Sequence, residues 1–126
     1  MPSPDEHLRV ARRNRKLLDD GLVAADERWA VVIAFYTALH YVERLAAREG
    51  RHHNSHDHRT LWLSRHPDHH VIYDAYRDLK AASMTARYKS LGSFAKEYPG
   101  NAVEKTLISK HLVAIEQYCE SIFPAP

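Results

Sequence analysis

The chain has 126 residues, of which 44% are hydrophobic and 27% charged, a composition typical of one globular domain and not of a disordered segment. The formal net charge is only +2, so charge alone does not indicate a nucleic-acid partner. The single cysteine, Cys119, excludes an intrachain disulfide and a cysteine-type zinc finger, and four glycines with six prolines favour long helices over short strands.

Two long helices are predicted in the N-terminal part of the chain. The segment Ser3–Glu6 is a capping-box sequence with a proline in its first turn, so a first helix is expected over about residues 4–20. A second helix is expected over about residues 26–49, ending before Gly50. It is apolar around most of its circumference, which predicts contacts with several neighbours or with a second subunit. Its core side is expected to include Trp29.

Shorter signals organise the rest of the chain. A polar loop over residues 50–58 precedes a short third helix, for which Ser55 is the predicted N-cap. A fourth helix is expected over about residues 68–88, and residues 90–100 are interpreted as a connection. A capping sequence beginning at Asn101 predicts the last helix, which ends near Phe123.

These elements predict an all-α fold, an up-and-down bundle of four long helices plus one short helix. The bundle forms a single domain over residues 1–126, with a core of about 25–123 and the N-terminal helix at about 4–20. No run of about 18 apolar residues and no signal-peptide pattern is found in the sequence. A cytoplasmic protein without a membrane partner is therefore expected.

Histidine is unusually frequent, because seven of the ten histidines lie between His52 and His70. Several pairs have metal-ligand spacing, which makes a His-rich metal-binding bundle one hypothesis. These pairs fall in loops and around Pro67, and so dense a cluster produces close pairs by chance, so no metal ligand and no cofactor is assigned. His40 and His111 lie on apolar helix faces and are expected to be buried and hydrogen-bonded. The pairs with ligand spacing are His53 and His56, His56 and His58, and His66 and His69.

Three motifs follow one another in a recognisable order. They are Tyr36-x-Ala38-x-His40 followed by Gly50, then Ser55-His56-x-x-Arg59, then Tyr73-x-x-Tyr76-x-x-Leu79-Lys80-x-x-Ser83-x-x-x-Arg87-Tyr88. The ordered set resembles small HEPN domains, in which a long helix with Tyr-x-Ala-x-His leads to glycine and a Ser/Thr-His helix start. A later helix of those domains ends in Arg/Asp-Tyr. The resemblance covers about residues 25–120.

The resemblance implies a helical bundle that dimerises side by side. Active members of the family are metal-independent ribonucleases of toxin–antitoxin, phage-defence and RNA-processing systems, with an Arg-x4–6-His motif from each copy in one composite site. Here Arg51 and His56 fit that spacing, and Arg87 lies where the family usually carries its arginine, with no histidine at motif spacing beyond it. The catalytic candidates are therefore His56 as acid or base and Arg51 or Arg87 as a phosphate ligand.

Further candidates for nucleic-acid contacts are Arg59, Tyr88 and His53, with Tyr88 suited to stacking on a base. The expected partners are RNA or a nucleotide, a second copy of the chain, and a partner protein such as an antitoxin. The alternative to a ribonuclease is a non-catalytic HEPN module that binds a nucleotide, nucleic acid or a partner protein. These alternatives stay open at the level of sequence.

Overall fold

The structure, a computed structural model, describes residues 2–124 and is all-α over that range. Met1, Ala125 and Pro126, which belong to the predicted domain, lie outside the described residues. The all-α prediction is confirmed, with four long helices and two short ones. The helices are α1 (Pro4–Leu17), α2 (Glu27–Arg48), α3 (His56–Arg65), α4 (Tyr73–Tyr88), α5 (Leu91–Glu97) and α6, which is π-wound over Val103–Leu112 and α-helical over Val113–Ile122.

Helix α2 is the centre of the bundle and packs against α1, α4 and α6. Its apolar side chains are buried around most of the helix, including Val31, Phe35, Val42 and Leu45, as the sequence pattern predicted. By length and composition alone α2 is a candidate membrane span, but 78% of its most apolar window is buried inside the bundle. The apolar circumference is thus used for packing against three neighbouring helices.

The chain between α1 and α2 remains helical beyond the predicted end of the first helix, and part of it is a π-helix. A π-helical turn over Leu18–Leu22 and one α-turn over Val23–Ala25 follow α1, and the helix axis bends at Gly21, where φ is +105°. Asp26 then begins α2, and its side chain accepts a hydrogen bond from the backbone N–H of Trp29 at 3.1 Å. The bend lets α1 fold back along α2.

We expect Gly21→Ala to lower the free energy of unfolding by about 1–3 kcal/mol, because alanine strains at positive φ. An added Cβ at Gly21 meets no described atom within 4 Å, so the cost is one of backbone conformation alone. Gly92→Ala is the matched control, since Gly92 lies inside α5 and its added Cβ would meet only Ser90 Oγ, at 4.0 Å. The control should gain about 0.5–1 kcal/mol. Urea denaturation of both variants tests the contrast, and equal effects would contradict it.

The interpretation of residues 90–100 as a connection was wrong for its first part. Ser90 caps α5 by accepting a hydrogen bond from the N–H of Ser93 at 3.1 Å, and Phe94 is buried against the bundle. A seven-residue helix shows little apolar periodicity in its sequence. The glycines and the proline in this segment therefore favoured the prediction of a connection.

Other differences concern helix starts and one tryptophan. Helix α4 begins at Tyr73, after a 3₁₀ turn over His69–Ile72, and not at Asp68. Asn101 makes no side-chain cap, because the π-wound start of α6 begins at Val103. Trp29 was expected in the core but is 59% exposed, since α2 presents it beyond the end of its packed face. The predicted caps at Ser3 and Ser55 are confirmed.

Candidate functional site

His56 is the first residue of α3 and lies between α2 and α4. The preceding Ser55 accepts a hydrogen bond from the N–H of His58 at 3.1 Å, which fixes the helix start and hence the direction of the His56 side chain. The imidazole ring packs on Phe35 of α2, with 5.7 Å between ring centroids. Burial, followed by the charges of Arg59, Lys80 and Arg87, lowers the pKa of His56. At neutral pH this histidine is therefore uncharged.

Arg59 connects His56 to the core through all three of its guanidinium nitrogens. Its Nε donates to Glu43 Oε1 of α2 at 2.5 Å, Nη1 donates to Nδ1 of His56 at 3.1 Å, and Nη2 donates to the carbonyl of His53 at 3.2 Å. Arg59 is 7% exposed and Glu43 only 2%, so this ion pair lies inside the protein. Arg59 is therefore a positioning residue that holds both the helix start and the loop before it.

The contact with Arg59 also decides the tautomer of His56. A guanidinium can only donate, so Nδ1 of His56 is an acceptor and the ring proton lies on Nε2. The free edge of the ring thus presents an N–H donor. Protonating Nδ1 as well would set two N–H groups against each other, so His56 in this arrangement is a hydrogen-bond donor and not a general base.

Two cations of α4 complete the arrangement. Lys80 and Arg87 lie seven residues apart on one face of the helix, and both are close enough to His56 for their charges to lower its pKa. Lys80 Nζ donates to Oγ1 of Thr60 in α3 at 3.2 Å, and Arg87 Nη1 donates to the hydroxyl of Tyr36 in α2 at 3.2 Å. We call His56, Arg59, Lys80 and Arg87 the His56 cluster.

The other candidates predicted from the sequence are His53, Tyr88 and Arg51, and their surroundings differ. His53 is nearly buried, and its Nδ1–H donates to Glu43 Oε1 at 3.3 Å, so it shares the carboxylate that holds Arg59. Tyr88 is 68% exposed, with the guanidinium of Arg87 at 5.0 Å from its ring centroid. Arg51 is exposed and lines a different cavity of about 630 Å³, next to Glu49 and His66. Within one chain the charge of Arg87 acts on His56, whereas Arg51 lies at the cavity that His53 and His58 also line.

Glu43 and Lys80 were not among the site residues predicted from the sequence, although Lys80 lies in the third motif. Lys80 carried a detectable signal, because Tyr76, Lys80 and Arg87 follow each other at helical spacing. Glu43 also carried one, since it follows a long apolar stretch of α2, where an unpaired carboxylate would be costly. The partner of Glu43 is Arg59 of α3, and the sequence pattern of α2 does not specify it.

The histidines expected on apolar faces find polar partners. His40 faces His7 of α1 across 3.1 Å between their Nδ1 atoms, and burial lowers the pKa of both rings. One of the pair therefore donates while the other accepts, both uncharged. His111 is half-buried, with Nε2 at 3.4 Å from a carboxylate oxygen of Asp78. The charges of Arg59 and Glu43 also act on His7 and His40, so this pair borders the His56 cluster.

A second histidine cluster contains Glu49, His66 and His69, whose ligand-type atoms lie within 4.8 Å of one another. Oε2 of Glu49 is 2.8 Å from Nε2 of His66 and 3.2 Å from Nε2 of His69. Nδ1 of His66 accepts two backbone N–H groups at 3.0 Å, so its proton lies on Nε2 and points at the carboxylate.

The two imidazoles of this second cluster are stacked, with 3.9 Å between centroids and 17° between planes. The lone pairs of parallel rings do not converge on one point, whereas a tetrahedral metal requires convergence. The side chains as they lie therefore form a hydrogen-bonded network around Glu49, which Tyr118 extends through a 2.7 Å contact with His69 Nδ1. A metal would need His66 to give up its backbone hydrogen bonds.

Comparison with known proteins gives no relative for the chain. No protein-family model matches it, and neither a curated protein nor a solved structure does.

Proposed function

We propose that the chain binds the phosphodiester backbone of RNA at the His56 cluster, as a non-catalytic HEPN-like module. The observation that carries the proposal is an uncharged His56, held by Arg59, with Lys80 of α4 bonded to Thr60 of α3 and Arg87 of α4 bonded to Tyr36 of α2. The charges of both α4 cations act on the imidazole. Because Glu43 balances the charge of Arg59, the positive charge in excess is that of Lys80 and Arg87. Together with the Nε2–H of His56, these two cations are complementary to a phosphate. The HEPN assignment, the toxin–antitoxin or defence setting and the homodimer rest on the motif resemblance.

RNA is favoured over a small anion because aromatic surface adjoins the cations. Tyr88 is exposed beside Arg87, and exposed aromatic and arginine planes are the groups on which unpaired bases stack. Binding is favoured over cleavage because Arg59 occupies the nitrogen of His56 that a general base would use. In this arrangement His56 donates its Nε2–H to a phosphate oxygen and no proton is moved.

We expect Lys80→Gln and Arg87→Gln each to weaken binding of a labelled single-stranded RNA, measured by fluorescence anisotropy over a range of salt concentrations. Each lost phosphate contact should reduce the slope of log affinity against log salt by about 0.7. Lys105→Gln is the matched control, since Lys105 is an exposed lysine of α6, which does not contribute to the cluster. An equal loss in the control, or no loss in either variant, would contradict the proposal.

The same samples decide between binding and catalysis. Intact RNA after incubation with the protein in EDTA supports the binding module. Cleavage in EDTA to products ending in a cyclic phosphate, abolished by His56→Ala, would instead establish the metal-independent ribonuclease.

A further inference from the structure

Trp29 lines a cavity of about 380 Å³ at the start of α2. The Trp29 side chain is 59% exposed, so a large apolar face of its indole is in contact with water. The floor of the cavity is formed by Val32 and Ala86, both buried. We call this space the Trp29 cavity.

The walls of the Trp29 cavity are held by Arg28. Its guanidinium donates to the carbonyl of Ala86 at 2.9 and 2.6 Å and to the carbonyl of Lys89 at 2.7 Å. These bonds fasten the C-terminal end of α4 to the first turn of α2. The cavity is therefore formed before any ligand arrives, which reduces the entropy lost on binding.

Charged residues that line the cavity determine how a nucleotide is oriented in it. Asp26, Arg28 and Arg87 all line the cavity. The Arg28 guanidinium is bonded to backbone carbonyls, whereas Arg87 also belongs to the His56 cluster. A phosphate is repelled from the side of Asp26 and attracted towards Arg87. A nucleotide is thus oriented with its phosphate towards the cluster and its base towards Trp29.

We propose that the Trp29 cavity binds a nucleobase of single-stranded RNA, stacked on Trp29, while the adjoining phosphate lies at the His56 cluster. This inference rests on the proposed RNA binding and adds a base-binding subsite to it. The apolar floor and the indole face suit the flat surface of a base, and stacking of this kind tolerates any base sequence.

The test compares two labelled ligands of about ten nucleotides, an oligouridylate and an abasic ribose-phosphate oligomer with the same number of phosphates. Wild-type protein should bind the oligouridylate about 5- to 150-fold more tightly than the abasic oligomer. Trp29→Ala should lose most of that preference while it binds the abasic oligomer with wild-type affinity. Trp29→Phe, which keeps a ring, should retain part of the preference.

Val71→Ala is the matched control. Val71 is an apolar residue about as exposed as Trp29, and it precedes α4, whereas the cavity is lined by residues at the end of α4. It should keep the full preference for bases. A fluorescence readout on a Trp62→Phe background adds a direct signal, since Trp29 is then the remaining tryptophan and its emission should be quenched by the oligouridylate alone.

Three results would contradict the proposal, and each leads to a different conclusion. Equal binding of both ligands by wild-type protein overturns the base subsite and leaves phosphate binding intact. Absence of binding to either ligand overturns both proposals. A wild-type dimer that Trp29→Ala converts to a monomer, measured by analytical ultracentrifugation, overturns the subsite and identifies the face as an interface between two copies of the chain.

Discussion

Glu43→Gln is expected to lower the free energy of unfolding by about 3–5 kcal/mol, the loss typical of a buried ion pair from which one charge is removed. The carboxylate of Glu43 is buried and accepts from both Arg59 and His53 through Oε1. Glutamine removes the negative charge and leaves the guanidinium of Arg59 buried without a counter-ion. Urea denaturation followed by circular dichroism measures the loss.

The control for this prediction is Glu120→Gln. Glu120 pairs with Arg12 at 3.6 Å, but both side chains are substantially exposed to water, so the loss should stay below about 1 kcal/mol. A loss at Glu43 as small as that at Glu120 would mean that the buried pair contributes no more than a surface pair. Joint replacement of Glu43 and Arg59 by methionine should recover most of the stability, because no buried charge then remains unpaired.

Arg44→Met is expected to act in the opposite direction and raise the free energy of unfolding by about 1–4 kcal/mol. Arg44 is next to Glu43 in sequence but only 1% exposed, and its Nε and Nη1 have no hydrogen-bond partner among residues 2–124. The neighbouring thiol of Cys119 does not supply a counter-charge, because burial raises its pKa to about 12. Methionine fills a similar volume without a charge to desolvate.

Arg48→Met provides the comparison one helical turn further along α2. The guanidinium of Arg48 lies 3.8 Å from the ring centroid of Phe123, so this arginine makes a favourable contact that methionine loses. We therefore expect no gain in stability at residue 48. A destabilisation of several kcal/mol by Arg44→Met would refute the prediction and indicate that polar groups satisfy the Arg44 guanidinium.

The sequence was sufficient for the elements whose signals are local. Residues close together in sequence determine the caps at Ser3 and Ser55 and the apolar stripes of α2 and α4. Residue propensity and periodicity were therefore enough to place them. Helix α5 was missed because seven residues show too little periodicity, and its burial depends on one residue, Phe94, meeting the rest of the bundle.

The candidate site was predictable only in part. His56, Arg59 and Arg87 were chosen for their residue types and motif positions. Arg59 bonds to His56 and the charge of Arg87 acts on it, whereas Arg51, which satisfies the motif spacing, lines a cavity with Glu49 and His66. The role of Glu43 could not be read from the sequence, because it depends on the packing of α3 against α2. The tautomer of His56 likewise follows from a contact and not from a pattern.

Arg28 has a consequence for the order in which the chain folds. Helix ends are normally capped by residues close by in sequence, and such caps can form while the helix itself is forming. The carbonyl of Ala86, in the last turn of α4, is instead capped by the side chain of Arg28, 58 residues away. The N–H of Lys89 closes the last turn locally on Thr85, but the Arg28 cap forms only once α2 has docked. The end of α4 therefore gains its full stabilisation together with long-range closure.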